Sequence, residues 1–204
     1  VTIFISMAMH CLAKFPKWKK LILAEIHNML KTEGGQVTYE RINKLDYLTA
    51  FLKEVLRMFP PSPGSSSRVA KMDHDIGDIR VRADTLVYTN FLGNHFNSQY
   101  FKRPNEFNPE RFLDLEKWSD KWQNDSFIYL PFSGGGRDCL AQNLALLEAK
   151  VYIIEMLRER DIENNQDLDV EMMVGFRAIV YYPKDEFEIN IIPLKEIPAL
   201  PKTA

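Results

Sequence analysis

The ten residues Phe132-Ser-Gly-Gly-Gly-Arg-Asp-Cys139-Leu-Ala141 constrain this chain more than any other segment, because they deliver one cysteine from a glycine run to the start of an apolar helix. Glycine adopts backbone conformations that other residues avoid, so Gly134 to Gly136 turn tightly and bring N–H groups near the sulfur. A helix N-terminus, and Arg137 two residues upstream, both favour the thiolate, which is the form that ligates metal. Other readings of the same residues stand beside this one. A phosphate cradle would want Gly-Lys-Ser/Thr after the glycines, and none follows. A buried structural thiol is a common fate of free cysteine. A catalytic cysteine would draw its base from His10, His27, His74 or His95, and no protease-like signature surrounds Cys139.

The pattern Phe132-x-x-Gly135-x-Arg137-x-Cys139-x-Ala141 resembles the heme-binding loop of the cytochromes P450, the heme-thiolate monooxygenases. The resemblance implies heme b (iron-protoporphyrin IX) with Cys139 as its axial iron ligand, and Phe132, Gly135, Arg137 and Ala141 beside the cofactor. Three further stretches follow the same family order. Glu54-Val-Leu-Arg57 lies in a helical run from about Tyr47 to Phe59, whose Leu48, Phe51, Leu52, Val55 and Phe59 form one apolar face, so Glu54 and Arg57 share the other. By itself such an i,i+3 pair is an ordinary surface ion pair. It resembles the family's Glu-x-x-Arg helix, and Pro109-Glu-Arg-Phe112 resembles the segment that brings Arg111 to that pair as the third member of a buried charge network. Pro60, Pro61 and Pro63 end the helix and force an extended path to Arg68. The resemblance implies that this path passes the heme edge, that Arg68 and His95 meet heme propionates, and that Pro61, Ser65 and Phe176 touch substrate.

The fold expected is mainly α with small β-sheets. Its parts are the end of a long central helix over Val1 to Ala13, then a surface amphipathic helix opened by Pro16 and ended at Gly34-Gly35. Thr38 would cap a short helix over Tyr39 to Lys44, leading into the Glu54/Arg57 helix. Alternation from Val69 to Phe91 around Asp75, Gly77, Asp78 and Asp84 reads as a small antiparallel sheet. An irregular meander runs from about Asn94 to Tyr129, a length that is often functional. Leu140 to about Arg160 is apolar nearly all round at first and reads as a buried helix, and Phe176 to Leu194 reads as a C-terminal hairpin around Pro183-Lys-Asp-Glu.

With 46% hydrophobic residues the 204-residue chain has ample material for a core. A net charge of −2 gives no sign of nucleic-acid binding, and two cysteines suggest no disulfide framework. There is no signal-peptide pattern and no apolar run of about eighteen residues or more. In the family the central helix carries an oxygen-activating threonine, which by counting back from Pro16 falls about one residue before Val1 unless Thr2 serves by a slip of register. Residues 1–204 are therefore expected to be a single partial domain, the C-terminal heme-binding portion of a longer enzyme, with the N-terminal part and any membrane anchor outside it. The implied activity inserts one oxygen atom of O2 into an apolar organic substrate, with electrons from an NADPH-dependent flavoprotein reductase, and places a eukaryotic member at the endoplasmic reticulum. The alternative is a truncated, non-catalytic heme-binding or interaction module without the distal oxygen-activating residues.

Overall fold

The apolar opening of the chain forms α1 (Thr2–Lys14), which buries Phe4, Met7, Ala8, Met9, Cys11 and Leu12. A helix satisfies its own backbone N–H and C=O groups along its interior, so burying this apolar face costs little, and His10 is the one charged or strongly polar side chain buried with it. The computed structural model describes residues 1–64, 67–114, 127–163, 172–175 and 180–195. Pro16 then opens α2 (Pro16–Lys31) at its first position, where a missing N–H is no loss. Its buried stripe is Trp18, Ile22, Leu23 and Ile26, and it ends at Thr32, where the backbone turns extended (φ −97°, ψ 154°) ahead of a 3-10 turn over Glu33–Gly35; the stop expected at Gly34-Gly35 thus falls two residues earlier.

α3 (Tyr39–Ile42) ends two residues before Lys44, and Thr38 holds the N-cap position without a side-chain capping bond. α4 (Asp46–Met58) is the most strongly two-faced helix, with Leu48, Phe51, Leu52 and Val55 buried. Its N-terminal cap comes from another helix: the Glu25 carboxylate of α2 accepts the N–H of Tyr47 at 2.9 Å and of Leu48 at 3.0 Å. Burial raises the pKa of Glu25, and these backbone donors pull against that rise.

Helices α1, α2, α4 and α6 (Gln142–Glu159) share one core. α6 enters it fully from Ala149 onward, through Ala149, Ile153, Ile154 and Leu157, with Leu146 and Leu147 packed against it partly buried. The expectation that this helix is buried from Leu140 onward is corrected: Leu140 and Leu144 are exposed, because the first turns reach past the other three helices to the rim of a cleft. Lys19 ties α2 to the strand that follows α6 by donating to Ile162 O at 2.7 Å and pairing with Asp161 at 2.8 Å.

All sheets among the described residues are two-stranded and antiparallel. β1 (Arg68–Val69) pairs with β4 (Leu86–Val87), and β2 (His74–Ile76) with β3 (Ile79–Val81), where the alternation placed a small sheet. Between β4 and the cysteine loop lie α5 (Phe91–His95) and a 3-10 turn, Pro109–Phe112. At the C-terminal side β5 (Arg160–Glu163) pairs with β8 (Asn190–Pro193), and β6 (Met172–Gly175) with β7 (Val180–Pro183). The hairpin expected across Phe176 to Leu194 is therefore corrected, since its two arms pair with different strands. Phe187 and Ile189, in the link between them, pack against the core, and Phe187 meets the His10 ring of α1 edge-on at 5.0 Å. Burying two large side chains outweighs closing a tight turn between β7 and β8. Among the described residues no helix is long and apolar enough to cross a membrane.

Candidate functional site

The loop from Phe132 to Ala141 is built on two left-handed residues, Ser133 (φ 68°) and Gly135 (φ 80°). Gly135 holds that conformation without strain, whereas Ser133 holds it at a cost, as residues at functional sites often do. The Cys139 N–H donates to Phe132 O at 2.9 Å, which closes the loop, and Gln142 N–H donates to Cys139 O at 3.3 Å as α6 begins. Ala141 is the N-cap of that helix, so Cys139 stands just ahead of it with an exposed thiol.

The thiol opens on a cleft of about 470 Å³, a size typical of ligand pockets. One wall is Val1, Phe4 of α1, Leu56 of α4 and Phe91 of α5; another is Phe132, Arg137 and Cys139 of the loop with Ala141 and Ala145; a third is Pro61, Ser62, Gly64 and Arg68. The structure thus brings together Cys139, Phe132, Arg137, Ala141, Arg68 and Pro61 of the residues singled out in the sequence. Gly135 does not line the cleft and serves the turn instead. Ser65 and Phe176 lie outside the described residues. Phe4, Leu56 and Phe91 were not singled out as wall residues. Leu56 carried a weak signal, an apolar residue next to but off the main stripe of α4. Thr2, the other candidate for the oxygen-activating position, lines a different groove together with Ser6, Tyr152 and Phe187.

No group of three or more His, Cys, Asp or Glu among the described residues could hold a bare metal ion. A single exposed thiol therefore suits a metal that brings its own ring of ligands. The apolar walls fit the faces of such a ring, and Arg68 and Arg137 fit acidic groups at its edge. The residues present fit a heme.

Behind the cleft, Glu54, Arg57 and Arg111 are brought together with essentially no solvent exposure. The Glu54 carboxylate accepts Arg57 Nε at 2.7 Å and Nη2 at 2.9 Å, Arg111 Nε at 3.2 Å and the Asn108 N–H at 2.8 Å. The guanidinium groups spend their other donors on carbonyls: Arg57 on His95 and Glu106, Arg111 on Lys102, Arg103 and Glu106. Buried charges persist only when paired and hydrogen-bonded in this way. Burial lowers the pKa of Arg111, and Glu54 opposes that shift.

The expectation that His95 meets a heme propionate is corrected. Its ring is fully buried and off the cleft, and both ring nitrogens are occupied: Nδ1 lies 3.0 Å from Arg57 O, and Nε2 accepts the Leu130 N–H at 3.1 Å. Burial, reinforced by the Arg57 charge, lowers its pKa from 6.5 to about 4 against the opposing pull of the Arg57 carbonyl.

A sequence model described as "Cytochrome P450" matches residues 1–190. Among curated proteins, "Cytochrome P450 6l1" of Blattella germanica is 31% identical over 94% of this chain and 37% of its own length. "Probable cytochrome P450 4d20" of Drosophila melanogaster is 34% identical over 76% of this chain and 29% of its own length. "Cytochrome P450 3A18" of Rattus norvegicus is 29% identical over 92% of this chain and 36% of its own length. The chain thus spans about a third of the length of these relatives.

Proposed function

This chain belongs to the cytochrome P450 family, whose members use heme, and on that premise we propose that residues 1–204 are the C-terminal heme-binding portion of a heme-thiolate monooxygenase. The observation that carries the reading is the exposed Cys139 thiol at an apolar cleft that also holds two arginines, Arg68 and Arg137. Cys139 would hold the heme iron through its thiolate, and the two arginines would pair with the propionates. Phe132 and Ala141 pack at the face on the cysteine side, and Phe4, Leu56 and Phe91 exclude water from the rest of the cleft. The Glu54, Arg57 and Arg111 network holds α4 and the 102–111 segment together so that the loop has a fixed platform. Pro61 and the residues after it face an apolar organic substrate. Heme held by an axial thiolate supplies O–O cleavage and insertion of one oxygen atom into such a substrate. Electrons come from NADPH through a separate flavoprotein reductase, and the whole protein works at the endoplasmic reticulum membrane.

The test is the reduced carbon-monoxide difference spectrum of the chain expressed with heme, beside Cys139→Ala. A thiolate-type band that disappears in the variant supports the reading. A band that survives the substitution, or an imidazole-type band in the unaltered chain, overturns it.

One observation favours the second reading for this chain by itself, a heme-binding module without oxygen activation. The side chains that α1 and the residue before it bring to the cleft are Phe4 and Val1, while Thr2 and Ser6 line the other groove. A thiolate-type band without NADPH-driven O2 consumption, in the presence of the reductase, would select it.

A further inference from the structure

His95 joins the last turn of α4 to the residues that lead into the cysteine loop. Its Nδ1 faces the carbonyl of Arg57 in the last turn of α4, where helix carbonyls lack intrahelical partners. Arg57 returns the contact by donating Nη1 to His95 O at 2.8 Å, so the two residues clamp each other through one bond in each direction. The partners also define the tautomer. A carbonyl only accepts and an amide N–H only donates, so the ring carries its proton on Nδ1 and offers a lone pair at Nε2 to Leu130.

Leu130 is the point at which the chain enters the cysteine loop. Its carbonyl accepts the Ser133 N–H at 3.2 Å, Phe132 O accepts the Cys139 N–H at 2.9 Å, and a Cβ on Gly134 would meet Leu130 Cδ2 at 2.9 Å. Next to it, Tyr129 stacks on the His95 ring at 5.4 Å and donates its hydroxyl to Lys53 O at 2.9 Å, a second tie to α4.

We propose that His95 is a positioning residue for Cys139: it relays the location of the Glu54 and Arg57 network to Leu130 through a single imidazole, and so sets where the cysteine loop stands. The role toward the metal rests on the function proposed above, whereas the relay itself does not.

His95→Asn and His95→Gln separate the two bonds. Asparagine places a donor near the Nδ1 position and reaches no further, so it keeps the bond to Arg57 O and loses Leu130. Glutamine places an acceptor near the Nε2 position and keeps Leu130. In the heme-free 204-residue chain, amide hydrogen exchange at Leu130 and Cys139 is expected to quicken about ten-fold in His95→Asn, the weight of one buried hydrogen bond, and to stay near the unaltered rate in His95→Gln. Amides of Ile22 and Leu23 in α2 report whether each variant is folded. After heme is added, His95→Asn converts part of the carbon-monoxide complex from thiolate-type to thiol-type, and His95→Gln does not. The proposal is overturned if Leu130 and Cys139 in folded His95→Asn exchange within about two-fold of the unaltered chain. It is equally overturned if folded His95→Gln loses protection at Leu130. If the exchange results hold while Cys139→Ala keeps a thiolate-type band, the relay stands and the assignment of Cys139 falls.

Discussion

Replacing Glu54 by alanine removes the one carboxylate that pairs with two guanidinium groups, those of Arg57 and Arg111, whose side chains are 0% and 1% exposed. Four hydrogen bonds go with it, from Arg57 Nε and Nη2, Arg111 Nε and the Asn108 N–H. Two positive charges would remain in the interior with only carbonyl partners. Deleting one member of a buried ion network costs about 3–5 kcal/mol, a large part of the stability of a typical domain. At a urea slope of about 2 kcal/mol per molar, the unfolding midpoint should fall by about 2 M. Glu54→Gln should not rescue it: its amide NH2 replaces Oε2 and turns a donor toward Arg57 Nε, so two donors face each other. An internal control comes from Arg80, which pairs with Asp73 and Asp75 at 3.4 and 3.2 Å but is 59% exposed. Exposed pairs contribute about 0–1 kcal/mol, so Arg80→Ala should move the midpoint by less than about 0.5 M. Urea titration followed by far-UV circular dichroism measures all three. Equal shifts for Glu54→Ala and Arg80→Ala would refute the argument that burial decides the weight of these ion pairs.

Acid should destabilise the chain through His95. Its pKa is about 4 when folded and 6.5 when free, so between those values the unfolded chain binds the extra proton, and stability is complete above pH 6.5 and is lost as pH falls toward 4. Each pH unit in that window removes about 1.4 kcal/mol. The charged groups around the ring are Arg57, Glu54 and Arg111, and His95→Gln should flatten this part of the urea-midpoint profile. Gly64→Ala should be more damaging than Gly135→Ala, since a Cβ at 64 would collide with Thr89 O and the Tyr88 side chain, whereas 135 has open space and only a left-handed φ to strain. That strain is about 1–2 kcal/mol, and thermal melts of the two variants compare it with the clash. Glu25→Ala should cost about 1–2 kcal/mol by uncapping α4, and hydrogen exchange should show the loss at Tyr47 and Leu48 first.

Much of the local structure was legible in the residues. Pro16, the apolar stripe of α4 and the turn at Gly77 follow backbone preferences and side-chain spacing that act over a few positions. The cysteine loop was legible for the same reason, because Gly135 and the Phe132 to Cys139 spacing define a closed turn whatever surrounds it. An i,i+3 carboxylate and guanidinium were also plain, but not whether they lie in water or in the core. Glu25 shows the limit well: nothing near it in the chain says that it caps α4, since its partners are 22 and 23 residues away.

The same limit applies to β7 and β8, which alternate as a hairpin would but take β6 and β5 as partners. It applies most sharply to His95, which reads as a loop histidine free to meet an anionic group and is instead enclosed between Arg57 O and Leu130 N. Short-range geometry is set by backbone torsions and side-chain spacing, which the sequence carries directly. Burial, strand partnership and the choice between two hydrogen-bond partners are decided by competition among segments far apart in the chain, and only the packed structure resolves that competition.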